Sequence, residues 1–282
     1  LIDRVGKGIR TSPRDAMIAA SCDPDARGKA FGLHRAMDTI GAFIGPLLAV
    51  LFLSVFEFSY RTIFVIAFIP AALGVASLAF LNRETPRAVP AAAGPQGRGP
   101  LSGDLKRVVL IFGVFALGNS SDVFLLLKAK QVGLSANAVL MTYVFYNFIY
   151  AAAATPAGWL SDRLSRRTLM IGGLGVFAVV YTGFAFATSG LAIWALFALY
   201  GVYAAATEGV SKALVADLST PENRGTAMGL LHAVQGILAF AASAVAGLLW
   251  THISPAAPFL YGAACAAAAA GLLFACFHVP AK

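Results

Sequence analysis

Charged residues are scarce in this 282-residue sequence. Asp, Glu, Lys and Arg together make up 12% of it, against about 25% in a typical soluble domain. Hydrophobic residues make up 59%, and the mean hydropathy of the chain is +0.78. A soluble protein of this composition would expose larger apolar patches than monomers tolerate. The composition therefore excludes a soluble enzyme and a disordered chain, and predicts a protein whose solvent is the lipid bilayer.

Cysteine and histidine are also rare, with three and four residues. Cys265 and Cys276 lie in one apolar run, where a helix would hold them roughly 16 Å apart, too far for a disulfide. The histidines are isolated and lack the paired spacing of metal ligands. The sequence contains neither a phosphate-binding loop nor a nucleophile elbow. We therefore expect no metal, no cofactor, no use of ATP and no enzymatic activity.

Long apolar runs dominate the sequence instead. Eight of them have about the length of a membrane-spanning helix, at approximately residues 29–56, 61–82, 108–128, 137–157, 168–188, 190–214, 225–250 and 257–279. The first 21 residues resemble the polar end of a ninth span. Runs of this length lack the ten-residue alternation of barrel strands. The predicted fold class is all-α, a polytopic helical bundle in a membrane.

The basic residues are distributed unevenly between the loops. The net charge of +8 would suit nucleic acid, but the cations lie in short loops and not on one basic surface with interleaved aromatics. If the spans alternate in direction, eighteen of the 21 Lys and Arg residues fall on one side of the membrane. Only Arg61, Lys128 and Lys130 fall on the other. This bias predicts a cell (inner) membrane protein with its Arg-rich loops in the cytoplasm and no nucleic-acid partner.

The sequence also contains a linker and an internal repeat. Residues 83–107 are rich in Pro, Gly and Ala, and predict a cytoplasmic linker between two halves, residues 1–82 and 108–282.

The 25 residues from Ala16 match those from Ala213 at ten positions, among them Arg27 and Arg224. Repeats of this kind are typical of transporters built from two related halves. In this register about 90 residues would precede Leu1, so we expect an N-terminally truncated protein with twelve spans when intact. A genuine nine-helix protein is the alternative.

Three motifs point to one family. Residues 158–170, GWLSDRLSRRTLM, match the loop signature G-x-L-x-D-R-x-G-R-K/R-x-x-[apolar], with Ser165 in place of the usual glycine. R-x-x-x-G occurs at residues 4–8, and G-x-x-x-G-P is formed by Gly41, Gly45 and Pro46. The sequence thus resembles the major facilitator superfamily. The resemblance implies two halves related by a pseudo-twofold axis, with six spans in the C-terminal half, and a monomer that binds a small solute near the bilayer midplane.

The loop signature predicts a cytoplasmic gate made of Gly158, Asp162, Arg163, Arg166, Arg167, Arg27 and Lys212. We expect the Asp162 carboxylate to stabilise the N terminus of the helix that starts at Gly28, with Lys212 as an ion partner. The alternative is that the three loop arginines only set the topology.

Gly41, Gly45 and Pro46 predict close helix packing and a kink, either as plain packing or with a role in the direction of exchange.

Ionisable residues inside spans are costly and usually face a cavity. Asp38, Asp122 and Glu208 are our candidates for proton coupling, against purely structural pairing such as that of Asp38 with Arg35. Asp122 follows a polar cluster in the middle of the third predicted span. The predicted cavity-lining residues are Arg35, Asn119, Tyr146, Asn147, His232 and Gln235. Tyr146 belongs to a tyrosine stripe that could equally anchor the helix at the membrane interface.

These features predict a secondary active transporter of a small solute that works by alternating access and is driven by a proton or other ion gradient. The resemblance of the Gly41–Pro46 motif to exporters favours proton-coupled efflux. The alternative is a membrane sensor or scaffold on the same fold that transports nothing. A cavity lined by Asp122, Asn147 and Glu208 would favour transport, and an apolar lumen would favour a scaffold. We expect residues 1–282 alone to be unable to transport.

Overall fold

The computed structural model describes residues 2–81 and 100–276, and within them every regular element is helical. The helices are α1 (Ile2–Ala20), α2 (Arg27–Ser54), α3 (Tyr60–Leu81), α4 (Gly103–Gly118), α5 (Val123–Gln131), α6 (Ala136–Arg163), α7 (Arg166–Phe186), α8 (Gly190–Asp217), α9 (Arg224–His252) and α10 (Ala257–Cys276). Eight segments of the described chain are long and apolar enough to cross a membrane. The predicted all-α polytopic bundle is confirmed.

The third predicted span is not one continuous helix. It consists of α4 and α5, and the polar residues between Gly118 and Val123 form the break. Short polar side chains compete with helical hydrogen bonds, and Asn119 leaves helical geometry with φ −88° and ψ 77°. The freed N–H of Ser121 donates to the hydroxyl of Ser243 on α9 at 3.1 Å. A neighbouring helix thus satisfies a backbone group that lipid could not.

The segment predicted as a linker is partly helical. Ser102 caps α4 by accepting a hydrogen bond from the N–H of Leu105, so the helix starts at Gly103, inside the predicted range. Residues 82–99, which make up most of that prediction, lie outside the described residues.

The two copies of the internal repeat fold into similar corners. In the first copy α1 ends at Ala20 and α2 begins at Arg27, and in the second α8 ends at Asp217 and α9 begins at Arg224. Each corner therefore spans the same number of residues and places an arginine at the first helical position. Both arginines are buried.

Helix α2 packs directly against α6 through glycines. A Cβ atom added to Gly158 would lie 2.2 Å from the carbonyl oxygen of Gly28, and one added to Gly32 would lie 2.5 Å from that of Ala154. Small residues let helix backbones approach this closely in membranes. By contrast, Gly41 and Gly45 have no described atom within 4 Å of an added Cβ. The close packing predicted at Gly41 and Gly45 is therefore absent from the described part of the chain.

Candidate functional site: a polar cavity between the halves

A cavity of about 500 Å³ lies between α1 and α2 on one side and α4, α7, α8 and α9 on the other. Its volume is in the range of small-molecule sites. Its polar wall residues are Arg10, Thr11, Arg14, Arg35, Asp38, Asn119, Thr207, Glu208, Ser211, Lys212, His232 and Gln235. Phe112, Phe115, Ala116, Met170, Tyr203 and Ala239 complete the wall. The cavity thus lies between residues of the two predicted halves.

Four of the six residues predicted to line a cavity do so: Arg35, Asn119, His232 and Gln235. The prediction for Asn147 is wrong, because its side-chain amide is buried and donates to the carbonyl of Tyr143 in its own helix at 2.8 Å. Tyr146 is also buried away from the wall, with its ring centroid 5.0 Å from that of Tyr200. Aromatic packing inside the second half therefore takes up the face that we expected to border a substrate path.

Arg35 joins the two acidic residues of the cavity wall. Its Nη1 atom lies 2.9 Å from Oδ2 of Asp38, three residues further along α2. Its Nη2 atom donates to Oε2 of Glu208 on α8. One guanidinium therefore connects α2 with α8 across the two predicted halves, and the expected pairing of Arg35 with Asp38 is one part of a larger cluster.

Asp122 lies at a different place from the other two candidates for proton coupling. It immediately precedes α5, at the break after α4, and accepts a 2.7 Å hydrogen bond from the hydroxyl of Tyr200. It does not belong to the cavity wall. Asp38, Asp122 and Glu208 thus do not form a single site among the described residues.

A second charged cluster surrounds Asp15, which sequence analysis missed. The fully buried carboxylate of Asp15 lies 2.9 Å from Nζ of Lys212 on α8 and 2.9 Å from Nε2 of His232 on α9. Arg14 contacts its other oxygen at 3.0 Å. Lys212 therefore pairs with Asp15 and not with Asp162, contrary to prediction. Asp15 was missed because it lies in the short polar segment before the first complete span, where no spacing pattern marks it.

The loop signature reaches the N terminus of α2. The Asp162 carboxylate accepts hydrogen bonds from the N–H groups of Gly28 at 2.8 Å and Lys29 at 2.7 Å. These N–H groups have no partner within the helix, and the positive end of the helix dipole favours a carboxylate there. The Gly28–Gly158 backbone contact brings the two helices close enough for these bonds.

Two arginines converge on Asp217 beside this contact, and sequence analysis did not identify this acid. Arg27 lies 2.9 Å from Oδ1 of Asp217, and Arg166 lies 2.5 Å from its Oδ2. Arg166 also donates to the carbonyl of Pro24 at 3.0 Å. The α6–α7 turn, the α1–α2 corner and the end of α8 are thus linked by one hydrogen-bonded network.

The other two loop arginines lie outside this network. The guanidinium of Arg163 stacks on the ring of Trp159 at 3.8 Å. Arg167 donates to the carbonyl of Leu273 at 3.0 Å and to that of Phe274, at the end of α10. Cations at a helix C terminus satisfy carbonyls that have no partner within the helix. The two side chains have other contacts in this structure, and their place in the gate stays a prediction.

Comparison with known proteins agrees with this architecture. The family model of the Major Facilitator Superfamily matches residues 2–145 and 110–282. The chain is 38% identical to the uncharacterized MFS-type transporter MJ1317 of Methanocaldococcus jannaschii over 267 residues, covering 93% of this chain and 67% of that protein. The chain therefore belongs to the Major Facilitator Superfamily of membrane transporters, and is an integral, multi-pass membrane protein.

Two further matches differ in extent. The chain is 37% identical to the inner membrane transport protein YajR of Escherichia coli over 110 residues, which make up 38% of this chain. The crystal structure of the human organic anion transporter MFSD10 superimposes with a TM-score of 0.71 at 17% identity, covering 93% of this chain and 67% of that one. This second likeness shows the fold alone. The chain spans about two thirds of the length of MJ1317 and MFSD10.

Proposed function

We propose that the complete protein is a secondary active transporter that moves a small solute by alternating access. The observation that carries the proposal is the polar cavity between the halves, whose walls are joined by the Arg35–Glu208 and Asp15–Lys212 ion pairs. These pairs connect α1 and α2 with α8, so they can form or separate as the two halves move. Rocking of repeat halves around a central site is the usual way in which such folds alternate access.

In this proposal the contacts of Asp162 form a latch on the cytoplasmic side. The latch consists of Asp162, the N–H groups of Gly28 and Lys29, and the Arg27–Asp217–Arg166 ion pairs. It holds the halves together when the cavity is closed to the cytoplasm and releases when it opens. The positive-inside distribution of Lys and Arg supports this orientation in an inner membrane, and we propose that one chain suffices for the cycle.

A proton gradient is the proposed energy source, and efflux the proposed direction. Glu208 and Asp38 border the cavity and share one arginine, so a proton on either carboxylate would weaken its pairing with Arg35. Asp122 is the separate candidate, and its described hydrogen bond comes from a tyrosine and not from a cation. Support for efflux comes from the Gly41–Pro46 motif alone.

The experiment is flux through the full-length protein in proteoliposomes. Uptake of radiolabelled solutes from a panel of sugars, drugs and amphiphiles would be compared with and without an imposed pH gradient. We expect at least one solute to move faster when the gradient is present, and an ionophore that dissipates the gradient to abolish the difference. Equal flux with and without the gradient would disprove proton coupling.

A sensor or scaffold that transports nothing is the second candidate. It is favoured by one finding: Asn147 and Asp122, two of the three residues expected in a transport cavity, are absent from the cavity wall. A transporter and a scaffold differ in whether their cavity is accessible to reagents from both sides of the membrane. Cysteines introduced at cavity positions should react with membrane-impermeant thiol reagents from both sides of the membrane in a transporter, and from no more than one side in a scaffold.

A further inference from the structure

The charged side chains of the cavity wall form two groups of pairs, which we call the basic pole and the acidic pole. The basic pole contains Arg10 and Arg14 on α1, Lys212 on α8 and His232 on α9. The acidic pole contains Asp38 and Glu208, both paired with Arg35. Each pole has its own internal pairing, so what a bound solute experiences is the charge that remains after this pairing.

The basic pole keeps an excess of positive charge. Its acid, Asp15, is fully buried and contacts Arg14, Lys212 and His232. One carboxylate therefore compensates at most one of the three Lys and Arg charges of this pole. Arg10 is exposed on the wall and forms no ion pair with the described residues. In a site of low dielectric constant such an excess attracts anions strongly.

The acidic pole is less strongly charged. Arg35 compensates one of its two carboxylates, which leaves a single negative charge before any proton is bound. Taken together, the wall therefore carries more positive than negative charge. The imbalance favours a solute with a net negative charge over a cation.

Part of the cavity wall is apolar. Phe112 and Phe115 of α4 and Met170 of α7 belong to the wall, and Phe112 and Met170 are almost fully buried. Aromatic and thioether side chains of this kind accommodate flat or irregular hydrophobic groups. The cavity wall thus combines charged and apolar side chains.

We propose that the substrate of this cavity is an amphipathic organic anion, with a carboxylate, sulfonate or phosphate group at the Arg10–Arg14 pole and an apolar body beside Phe112 and Phe115. The inference rests on the proposed function, because it assigns a substrate class to the transport cavity. An anionic lipid headgroup has the same chemistry, but we assign the site to a soluble anion because the cavity volume of about 500 Å³ corresponds to a small solute.

The test is equilibrium binding to the purified full-length protein in detergent, measured by calorimetry. Four probes share a phenylpropyl body and differ in charge: 3-phenylpropionate is an anion, 3-phenylpropanol is neutral, 3-phenylpropylamine is a cation and phenylalanine is a zwitterion. We expect 3-phenylpropionate to bind most tightly. Tighter binding of any of the other three, or no binding of 3-phenylpropionate, overturns the inference.

Two variants that change the charge of the cavity wall in opposite directions distinguish an effect on binding from an effect on folding. Arg10→Gln should weaken binding of 3-phenylpropionate about tenfold, since a hydrogen bond to a charged group is lost, and it breaks no ion pair among the described residues. Glu208→Gln should strengthen binding of the same anion, because it removes a negative charge from the cavity wall while Arg35 keeps its pair with Asp38. Arg107→Gln, at an exposed i,i+3 pair with Asp104, is the matched control and should change nothing. Shifts of the same sign in Arg10→Gln and Glu208→Gln overturn the inference.

Two further arms separate the alternatives. Phosphatidylglycerol added to the detergent should compete with 3-phenylpropionate no better than phosphatidylcholine does, and stronger competition would assign the site to a lipid. Flux in proteoliposomes without a preference for anions would overturn this inference and leave the proposed function intact. Binding of the anion without flux of any solute would support an anion-binding site in this cavity and disprove the transport function.

Discussion

The carboxylate of Asp162 accepts the backbone N–H of Gly28 at 2.8 Å, although the two residues are 134 positions apart. The contact joins the end of α6 to the beginning of α2. A charged side chain here bonds to unpaired backbone groups, so it holds the helix end without requiring a particular side chain on α2.

Asp162→Asn should weaken this latch. The neutral amide retains one acceptor but loses the charge, which costs about 1–3 kcal/mol at a helix terminus with charge-assisted bonds. Cys22 in the α1–α2 corner is a natural reporter: it is half-buried, and burial raises the pKa of its thiol. We expect N-ethylmaleimide to modify Cys22 faster in Asp162→Asn than in the parent protein, as measured by peptide mass spectrometry.

The pH dependence of this labelling has a defined sign. Since the thiolate is the reactive form and the pKa is raised in the closed corner, labelling should increase with pH and should lag behind that of an exposed thiol at neutral pH. Release of the corner should reduce this lag. Arg163→Gln is the control, because Arg163 stacks on Trp159 outside the network. An unchanged rate in Asp162→Asn, together with unchanged transport, would show that the latch does not exist.

Gly158→Ala should destabilise the protein. The added Cβ would lie 2.2 Å from the carbonyl oxygen of Gly28, so α2 and α6 must separate. Overpacking of this kind typically costs about 1–3 kcal/mol, visible as a lower apparent Tm in a detergent unfolding assay. Gly175→Ala on α7 is the matched control, since its Cβ meets no described atom within 4 Å. An equal Tm in the two variants would contradict the close packing.

Asp15→Asn should lower the stability of the protein more than the simultaneous replacement of Asp15 and Lys212 does. Removing the carboxylate leaves the buried Lys212 ammonium uncompensated, which costs about 3 kcal/mol or more. In the double variant Asp15→Asn/Lys212→Met no such charge remains, and we expect part of the stability to return. The measurement is again the apparent Tm. A double variant less stable than Asp15→Asn would indicate that Lys212 has a different partner.

The candidates for proton coupling can be separated by neutral substitution. If Glu208 or Asp38 carries the proton, Glu208→Gln or Asp38→Asn should abolish gradient-driven flux in proteoliposomes but leave solute exchange without a gradient. If Asp122 carries it, Asp122→Asn should have that effect, and Tyr200→Phe should shift its pH dependence because the hydrogen bond to Asp122 is lost. Retention of gradient-driven flux in all three neutral variants would eliminate the three candidates together.

Sequence patterns predicted the fold well because lipid imposes strong rules on each span. The eight spans, the repeated Arg–Gly corner and the helix end expected to meet Asp162 all follow from local composition, loop charge and repeat register. Prediction of side-chain partners was poorer. Lys212 pairs with Asp15, and Asp217 collects Arg27 and Arg166, because these pairs join helices that no local spacing relates.

The sequence by itself determined that this is a polytopic helical membrane protein with a family-specific loop and two related corners, since a bilayer requires long apolar helices whatever their arrangement. Only the tertiary structure decided which polar residues share the cavity, that Asn147 is buried against its own helix, and that four residues separate α4 from α5. The physical reason is that the direction of a side chain depends on how helices rotate and pack against each other, which hydropathy does not encode.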